Sequence, residues 1–250
     1  MRQKIFGSPG YCTALSLSRQ ELAVFRDAIG RQWLTTIAER YPQHASVFRR
    51  CGISQYHQFS HLVDHSQLWP KESRVLPTQE VDRILGLPFI GELKKEFGSF
   101  SISNVVYGDT VVKGRQEIYW RLVRPAQERD VGSFHADQWF HQAVGAGYGM
   151  FSPNVYTIKV WIPIYCERGK NGLIVVPDSH MRDYRYRLVE NSGKKTPVLC
   201  ENIDSETVLL ETEPGTLVVF NEKLLHGGAV NRGGATRVSA ELTLVFAQQS

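Results

Sequence analysis

From about residue 100 onward the chain is a succession of short runs rich in β-branched and aromatic residues, at 101–107, 117–124, 156–165, 172–176, 207–210, 216–220 and 237–246. Turns rich in Gly, Pro, Asn and Asp separate them. Many short strands punctuated in this way specify a sandwich or a small barrel. Before residue 100 the pattern is helical. Ser18-Arg19-Gln20-Glu21 has the form of a capping box, and Leu22, Phe25, Ile29, Trp33 and Ile37 follow at helical spacing. They predict an amphipathic helix from about 18 to 40, ended at Tyr41-Pro42. Further helical regions are expected at 54–66 and at 78–97, the second broken at Pro88. The expected organisation is one α+β, mainly β domain over 1–250, with a mostly helical cover over 1–99 packed outside a β core over 100–250.

At 250 residues, with 42% apolar and 22% charged residues, the chain can bury a substantial core and is neither disordered, collagen-like nor a coiled coil. A formal charge of +4 without basic runs gives no reason to expect a nucleic-acid partner. The charge is uneven. Residues 1–132 carry 18 Lys and Arg against 13 Asp and Glu, and residues 133–250 carry 11 against 12. The first half therefore either offers cations to an acidic partner or forms a solvated basic face. Cys12, Cys51, Cys166 and Cys200 form no C-x-x-C pair, which reads as reduced thiols in a cytoplasmic protein. No apolar stretch reaches the ~20 residues of a membrane helix. The N-terminal stretch is broken by Gly7-Ser8-Pro9-Gly10 and makes a poor signal peptide. Core packing is the first use expected of the 18–40 helix, with weak peripheral membrane contact as the alternative. Nothing in the sequence fixes an oligomeric state.

The chemistry concentrates in three places. Phe134-His135-Ala136-Asp137 contains an H-x-D triplet, and residues i and i+2 of an extended chain point to one side. Gly215 to Phe220 reads as a strand, followed by Leu225-His226-Gly227-Gly228, which supplies a second histidine. Two imidazoles and one carboxylate on one side of a metal form the facial triad that suits non-heme Fe(II). Arg237-Val238-Ser239 then opens the last strand, with Arg237 and Ser239 on one face as a clamp for a carboxylate.

On these residues the segment 130–246 resembles the phytanoyl-CoA dioxygenase family of Fe(II)/2-oxoglutarate oxygenases. The H-x-D triplet, Trp161-Ile162-Pro163-Ile164, Asn171-Gly172-Leu173 through Pro177-Asp178-Ser179-His180, and the segment from Gly215 through His226 to Arg237 match its motifs in order and spacing. The resemblance implies a double-stranded β-helix (a jelly-roll, cupin-like barrel) with the N-terminal helices outside. It implies Fe(II) on His135, Asp137 and His226, the distal carboxylate of 2-oxoglutarate on Arg237, and Trp161 lining the cosubstrate pocket. It further implies consumption of O2 and 2-oxoglutarate, release of succinate and CO2, and hydroxylation of a small-molecule substrate. Related halogenases carry a small residue in place of the carboxylate, so Asp137 points to hydroxylation. Two positions depart from the family. Gly228 stands where Ser or Thr is common, so Ser239 is expected to take that role, and Asp178 replaces a turn glycine.

Other residues enter as candidates. Lys159 shares a strand face with Thr157 and Trp161 and, if that face points inward, needs an anionic partner, cosubstrate or substrate. Trp139, His141 and Trp120 are candidate substrate contacts, although the parity of the strand bearing Trp120 is not fixed by sequence. Trp69-Pro70-Lys71-Glu72-Ser73-Arg74 reads as an aromatic and basic interaction loop, with Lys71 and Arg74 as rim cations. With the basic first half it favours an anionic substrate, such as an acidic sugar or another carboxylated metabolite. His57, His61 and His65 recur every four residues beside Asp64 and read as a polar helix face. His180 reads as structural. The competing functions are a non-catalytic jelly-roll ligand-binding protein and a cupin-type isomerase or zinc hydrolase. The last two would need an H-x-H and Glu ligand set that the sequence lacks.

Overall fold

The computed structural model describes residues 1–107, 110–144, 155–191 and 194–247. Its centre is a sheet ordered β1-β11-β6-β13-β2, with β5 also paired to β13. These strands are β1 (Tyr11–Ser16), β2 (Ser101–Ile102), β5 (Ile118–Val123), β6 (Val155–Tyr165), β11 (Thr216–Asn221) and β13 (Arg237–Ala247). β6 and β13 run antiparallel along almost their whole length, Ala247 opposite Val155 and Val238 opposite Tyr165. β5 joins the first half of β13, so that Arg121 lies opposite Ser239 and Tyr119 opposite Glu241. A smaller sheet, β10 (Val208–Leu209), β7 (Leu173–Val175) and β12 (His226–Gly228), is antiparallel throughout. Two hairpins lie beside them, β3 (Asn104–Tyr107) with β4 (Thr110–Gln116) and β8 (Tyr186–Asn191) with β9 (Lys194–Leu199). The large and small sheets face each other as the two walls of a jelly roll.

Strand alternation decides what each wall does. On β6, Ile158, Val160, Ile162 and Ile164 point to one side, as do Leu217 and Val219 of β11 and Val238, Ala240, Leu242 and Leu244 of β13. They join Leu22, Phe25, Ile29, Trp33 and Ile37 of the helix Arg19–Arg40 in one core. The opposite face carries Trp161, Val218 and Phe220, which pack with Leu173, Val175, Leu210 and Leu224 of the small-sheet side. Between the walls this inner face also holds the polar residues of the alternate positions.

The predicted first helix is present with its cap. Ser18 accepts from the Glu21 N–H, and the Ser18 N–H donates to the Glu21 carboxylate at 2.7 Å. The other oxygen of Glu21 accepts from Phe89 N–H at 2.7 Å, in the first turn of the helix Pro88–Phe97. One carboxylate therefore caps two helices. The region 78–97 divides at the proline into Thr78–Leu85 and Pro88–Phe97. The region 54–66 differs from expectation. It is a series of short turns, with Asp64 accepting from Ser66 and Gln67 N–H groups to start the helix His65–Leu68. His57 consequently bonds Thr236 at 3.1 Å, whereas His65 meets Asp130 at 3.3 Å, and the two share no helix face. Among the described residues no helix is long and apolar enough to cross a membrane.

Trp120 corrects an expectation. Its register places it on the outer, helix-facing side of β5, fully buried, with its indole N–H donating to Gln32 at 2.8 Å and its ring edge-on to Trp69 at 5.3 Å. It lines the helix–sheet core, not the pocket. Trp120→Ala is expected to lower the unfolding free energy by about 3–5 kcal/mol, read as a urea midpoint. Normal stability with an altered substrate requirement would return this ring to the pocket.

Candidate active site

His135 and His226 are cross-strand partners. Each backbone N–H donates to the other's carbonyl, at 3.0 and 2.9 Å, so the two imidazoles project from adjacent positions. Their ring centroids lie 4.5 Å apart. His135 Nδ1 lies 2.8 Å from the Ser133 carbonyl, and His226 Nδ1 lies 2.9 Å from the Leu224 carbonyl. A carbonyl can only accept, so Nδ1 carries the proton in both rings and each Nε2 presents a lone pair.

Asp137 does not continue an extended chain, as the i, i+2 reading supposed. It is the first residue of the helix Asp137–Val144, which begins directly after the His135 bridge. The turn brings its carboxylate 3.9 Å from His135 Nε2 and 3.8 Å from His226 Nε2. One ligand atom from each of the three residues lies within 4.8 Å of the others. Two imidazoles presenting Nε2, with one carboxylate, are a donor set suited to a first-row divalent metal, and Fe(II) fits it.

Burial, followed by the neighbouring His226, pushes the His135 imidazole down to about 4 from its ordinary 6.5, against the opposing pull of Asp137. The unfolded chain then binds more protons than the fold at mildly acid pH. Stability of the metal-free protein is therefore present near neutrality and is lost as pH falls through that window. The contribution of His135 between about pH 7 and about pH 5 is roughly 2 kcal/mol. Urea midpoints at those two pH values measure it, and equal midpoints would contradict the shielding.

The inner face of the large sheet surrounds these ligands. The Lys159 ammonium lies 3.7 Å from Asp137 and donates to Thr243 at 3.3 Å. Burial opposes its charge, but Asp137, Tyr119 and Glu241 outweigh that and hold it above the ordinary lysine range. Lys159 thus faces inward, but the anionic partner it meets is Asp137, where the sequence reading expected cosubstrate or substrate. Thr157 donates to Glu222, whose carboxyl is raised by burial and by the nearby Asp137. Arg237 is 3% exposed, its guanidinium 5.7 Å from the Trp161 ring. Burial pushes it down to about 10, which leaves it charged at neutral pH.

Among the described residues, Arg237 Nε and Ser239 Oγ are buried without a hydrogen-bond partner. Unmet polar atoms of this kind call for a ligand with acceptor oxygens, and a carboxylate end of 2-oxoglutarate fits them. Gly228 lies beside this clamp: a Cβ there would make ordinary contacts with Arg237 Nη2 at 3.6 Å and Val131 at 3.4 Å. Behind Arg237 a cavity of about 150 Å³ is lined by residues including Arg26, Tyr165, Glu167 and Thr236.

Three further expectations are corrected. Trp139 is buried among Ala136, Val176, Ile203 and Leu225 and stacks on Tyr186 at 4.7 Å, so its ring is consumed by packing. Arg74 donates to the Trp69 and Trp120 carbonyls and is a structural clasp, not a rim cation. Lys71 is tied to Glu117 at 2.6 Å and to the Val106 carbonyl at 3.0 Å. The His141 side chain lies outside the described residues.

Sequence reasoning missed Tyr119, Arg121, Glu241, Thr243 and Glu222. A signal was present for most of them. On β13 the polar residues Arg237, Ser239, Glu241 and Thr243 alternate with Val238, Ala240, Leu242 and Leu244, and Thr157, Lys159 and Trp161 do the same on β6. Extending the Arg237–Ser239 face by two more steps would have found Glu241 and Thr243.

The family model for phytanoyl-CoA dioxygenase matches residues 89–239. No curated protein sequence matches the chain. Among solved structures, EctD from S. alaskensis with 2-oxoglutarate and 5-hydroxyectoine superposes with a TM-score of 0.57 at 15% identity, covering 97% of this chain and 74% of that one. The apo form of the non-heme monooxygenase ThoJ gives 0.56 at 11% identity, covering 96% and 77%. AviO1 from Streptomyces viridochromogenes Tue57 gives 0.51 at 15% identity, covering 99% and 95%.

Proposed function

Because the chain belongs to the phytanoyl-CoA dioxygenase family, we propose that it is an Fe(II)- and 2-oxoglutarate-dependent hydroxylase of a small or medium-sized polar, anionic substrate, with an acidic sugar or another carboxylated metabolite the favoured class. The observation that carries this reading is the pairing of a metal-competent triad with a buried, unsatisfied Arg237 and Ser239 on the same inner face. A ligand-binding protein without redox chemistry would have no use for both.

Iron, with 2-oxoglutarate and O2, supplies the oxidising power for C–H hydroxylation coupled to decarboxylation. The protein's own groups do the positioning. His135 and His226 offer Nε2 because their Nδ1 protons are held by the Ser133 and Leu224 carbonyls. Asp137 supplies the anionic ligand, and Lys159 holds its carboxylate from the sheet side. Arg237 and Ser239 take the distal carboxylate of the cosubstrate, with the Trp161 ring forming the wall against it. Phe220 packs on His226 at 4.6 Å and keeps water from that side of the ligand.

The anionic character rests on the inner face rather than on the loop 69–74. Besides Arg237, that face presents Arg121 and Lys159. The experiment is oxygen consumption and succinate release by the Fe(II)-loaded protein with 2-oxoglutarate. Both are expected, in equal amounts, and stimulated by an acidic substrate. Absence of succinate at saturating 2-oxoglutarate would overturn the assignment in favour of a binding protein.

A further inference from the structure

Arg237 is not the only arginine on the inner face. Arg121 lies opposite Ser239 on the neighbouring strand, so the two side chains enter the same space between the sheets. Arg121 is held from one side. Its Nε donates to Glu241 at 3.0 Å and to the Tyr119 hydroxyl at 3.0 Å, and Nη2 also bonds that hydroxyl. Its Nη1 has no partner among the described residues, and the side chain keeps 40% of its surface exposed, against 11% for Glu241. The guanidinium is thus fixed at its base and open at its tip.

The other arginines near this part of the barrel are differently used. Arg74 is spent on the Trp69 and Trp120 carbonyls, and Arg124 grips Asp130 with both arms of its fork. They stabilise chain crossings, whereas Arg121 leaves its outer edge available to a ligand. Arg121 also acts electrostatically on both His135 and Arg237, which sets it within the field of the metal and cosubstrate ends of the site.

Charge accounting on the inner face separates Arg121 from the cosubstrate. Iron with Asp137 carries one net positive charge, and Arg237 another. The two carboxylates of 2-oxoglutarate offset both. Arg121 is paired with Glu241, Lys159 lies against Asp137, and Glu222 adds a further carboxyl beside Asp137. A second anion entering the site therefore meets an oriented donor edge, the Nη1 side of Arg121, held in place by Glu241 and Tyr119.

We propose that Arg121, oriented by Glu241 and Tyr119, is the specificity-determining cation that takes the anionic end of the substrate, a carboxylate or a phosphate-type oxyanion. The inference rests on the oxygenase reading above and adds the group that selects within it. An arginine fork is suited to this, since Nη1 adds a planar donor edge while Nε and Nη2 fix the plane. Glu241 tunes the strength: it preorganises Arg121 and at the same time competes electrostatically with the incoming anion.

The test uses the Fe(II)-loaded full chain. Oxygen uptake with saturating 2-oxoglutarate is measured against hexuronates, aldonates, amino acids and sugar phosphates, each beside an uncharged counterpart. The expected stimulators are anionic. Arg121→Gln should raise the half-stimulating concentration of the best acid at least 30-fold, and Arg121→Lys should recover part of that loss. The half-saturating 2-oxoglutarate should shift less than threefold in either. Glu241→Gln should act in the opposite sense, lowering the half-stimulating concentration of the acid about fivefold, as expected when a competing charge is removed while shape is kept. That opposite sign cannot come from a damaged fold, and it carries the test if Arg121→Gln is unstable. Stimulation by neutral compounds, or a 2-oxoglutarate requirement that rises while the acid's does not, would overturn the assignment of Arg121 and leave the oxygenase reading intact. Absence of any 2-oxoglutarate-dependent oxygen uptake by the wild type would remove both.

Discussion

Asp137→Ala is expected to abolish succinate formation and to weaken divalent metal binding by at least a hundredfold. The magnitude follows from what the carboxylate does. It is the only anionic member of the triad. Loss of a group that merely orients a ligand already costs about 10–100-fold in metal affinity, so loss of the anionic ligand itself costs more. The substitution has a second effect in the same direction. Lys159 lies 3.7 Å from that carboxylate, and without it the ammonium faces the metal directly. Like charges at that range in a shielded site oppose each other strongly. Titration with Mn(II), followed by electron paramagnetic resonance, measures the affinity separately from turnover. Wild-type metal affinity and turnover by the variant would remove Asp137 from the ligand set.

Arg237→Ala is expected to raise the half-saturating 2-oxoglutarate concentration by about 30-fold to several thousandfold, corresponding to ~2–5 kcal/mol for truncating one partner of a buried charge pair. The guanidinium is 3% exposed, so water cannot replace it easily. Its Nε and the neighbouring Ser239 hydroxyl are the unsatisfied polar atoms at this end of the site. Ser239→Ala should produce a smaller rise of about 10-fold to 150-fold, the scale of one hydrogen bond from a hydroxyl to a charged group, about 1.5–3 kcal/mol. Steady-state succinate release against 2-oxoglutarate concentration reads both. A 2-oxoglutarate requirement unaffected by Arg237→Ala would transfer the distal carboxylate to another cation, with Lys159 the first to test.

The helical cover was legible where local rules agree with tertiary structure. Ser18 and Glu21 cap the helix that the apolar spacing predicts, and Pro88 breaks the later one where a proline must. The region 54–66 was not legible, because Asp64 can cap a new turn as readily as it can sit on a helix face, and the choice is made by the contacts of His57 and His65 with distant residues. The long strands β6 and β13 declare themselves by composition. β12, made of His226-Gly227-Gly228, has no strand propensity and exists because β7 offers it a partner. β1 was missed for a related reason: its pairing partner, β11, lies some two hundred residues away.

In the candidate site, the ligand triad could be named from spacing, but Asp137 reaches it from a helix start instead of a strand. The rim cations were misjudged for a physical reason. A count of Lys and Arg along the sequence does not reveal which charges are already spent, as Lys71 is on Glu117 and Arg74 on two carbonyls. Arg121, a cation of the inner face with an open edge, lies inside a segment that reads only as a strand.

The alternation along β13 has a consequence for how this protein can change over evolutionary time. Val238, Ala240, Leu242 and Leu244 fill the helix-facing core, while Arg237, Ser239, Glu241 and Thr243 furnish the space between the sheets. A strand has a period of two, so inserting or deleting one residue near its start would exchange the two sets. Ionised groups would enter the apolar core, and aliphatic groups would replace the carboxylate clamp. β13 is therefore intolerant of length change at a place where point substitution on the inner face remains open. Shifts in substrate preference along this lineage should accumulate there as replacements at 241 and 243 and on the facing β5 position 121, with length variation confined to the loops that join the strands.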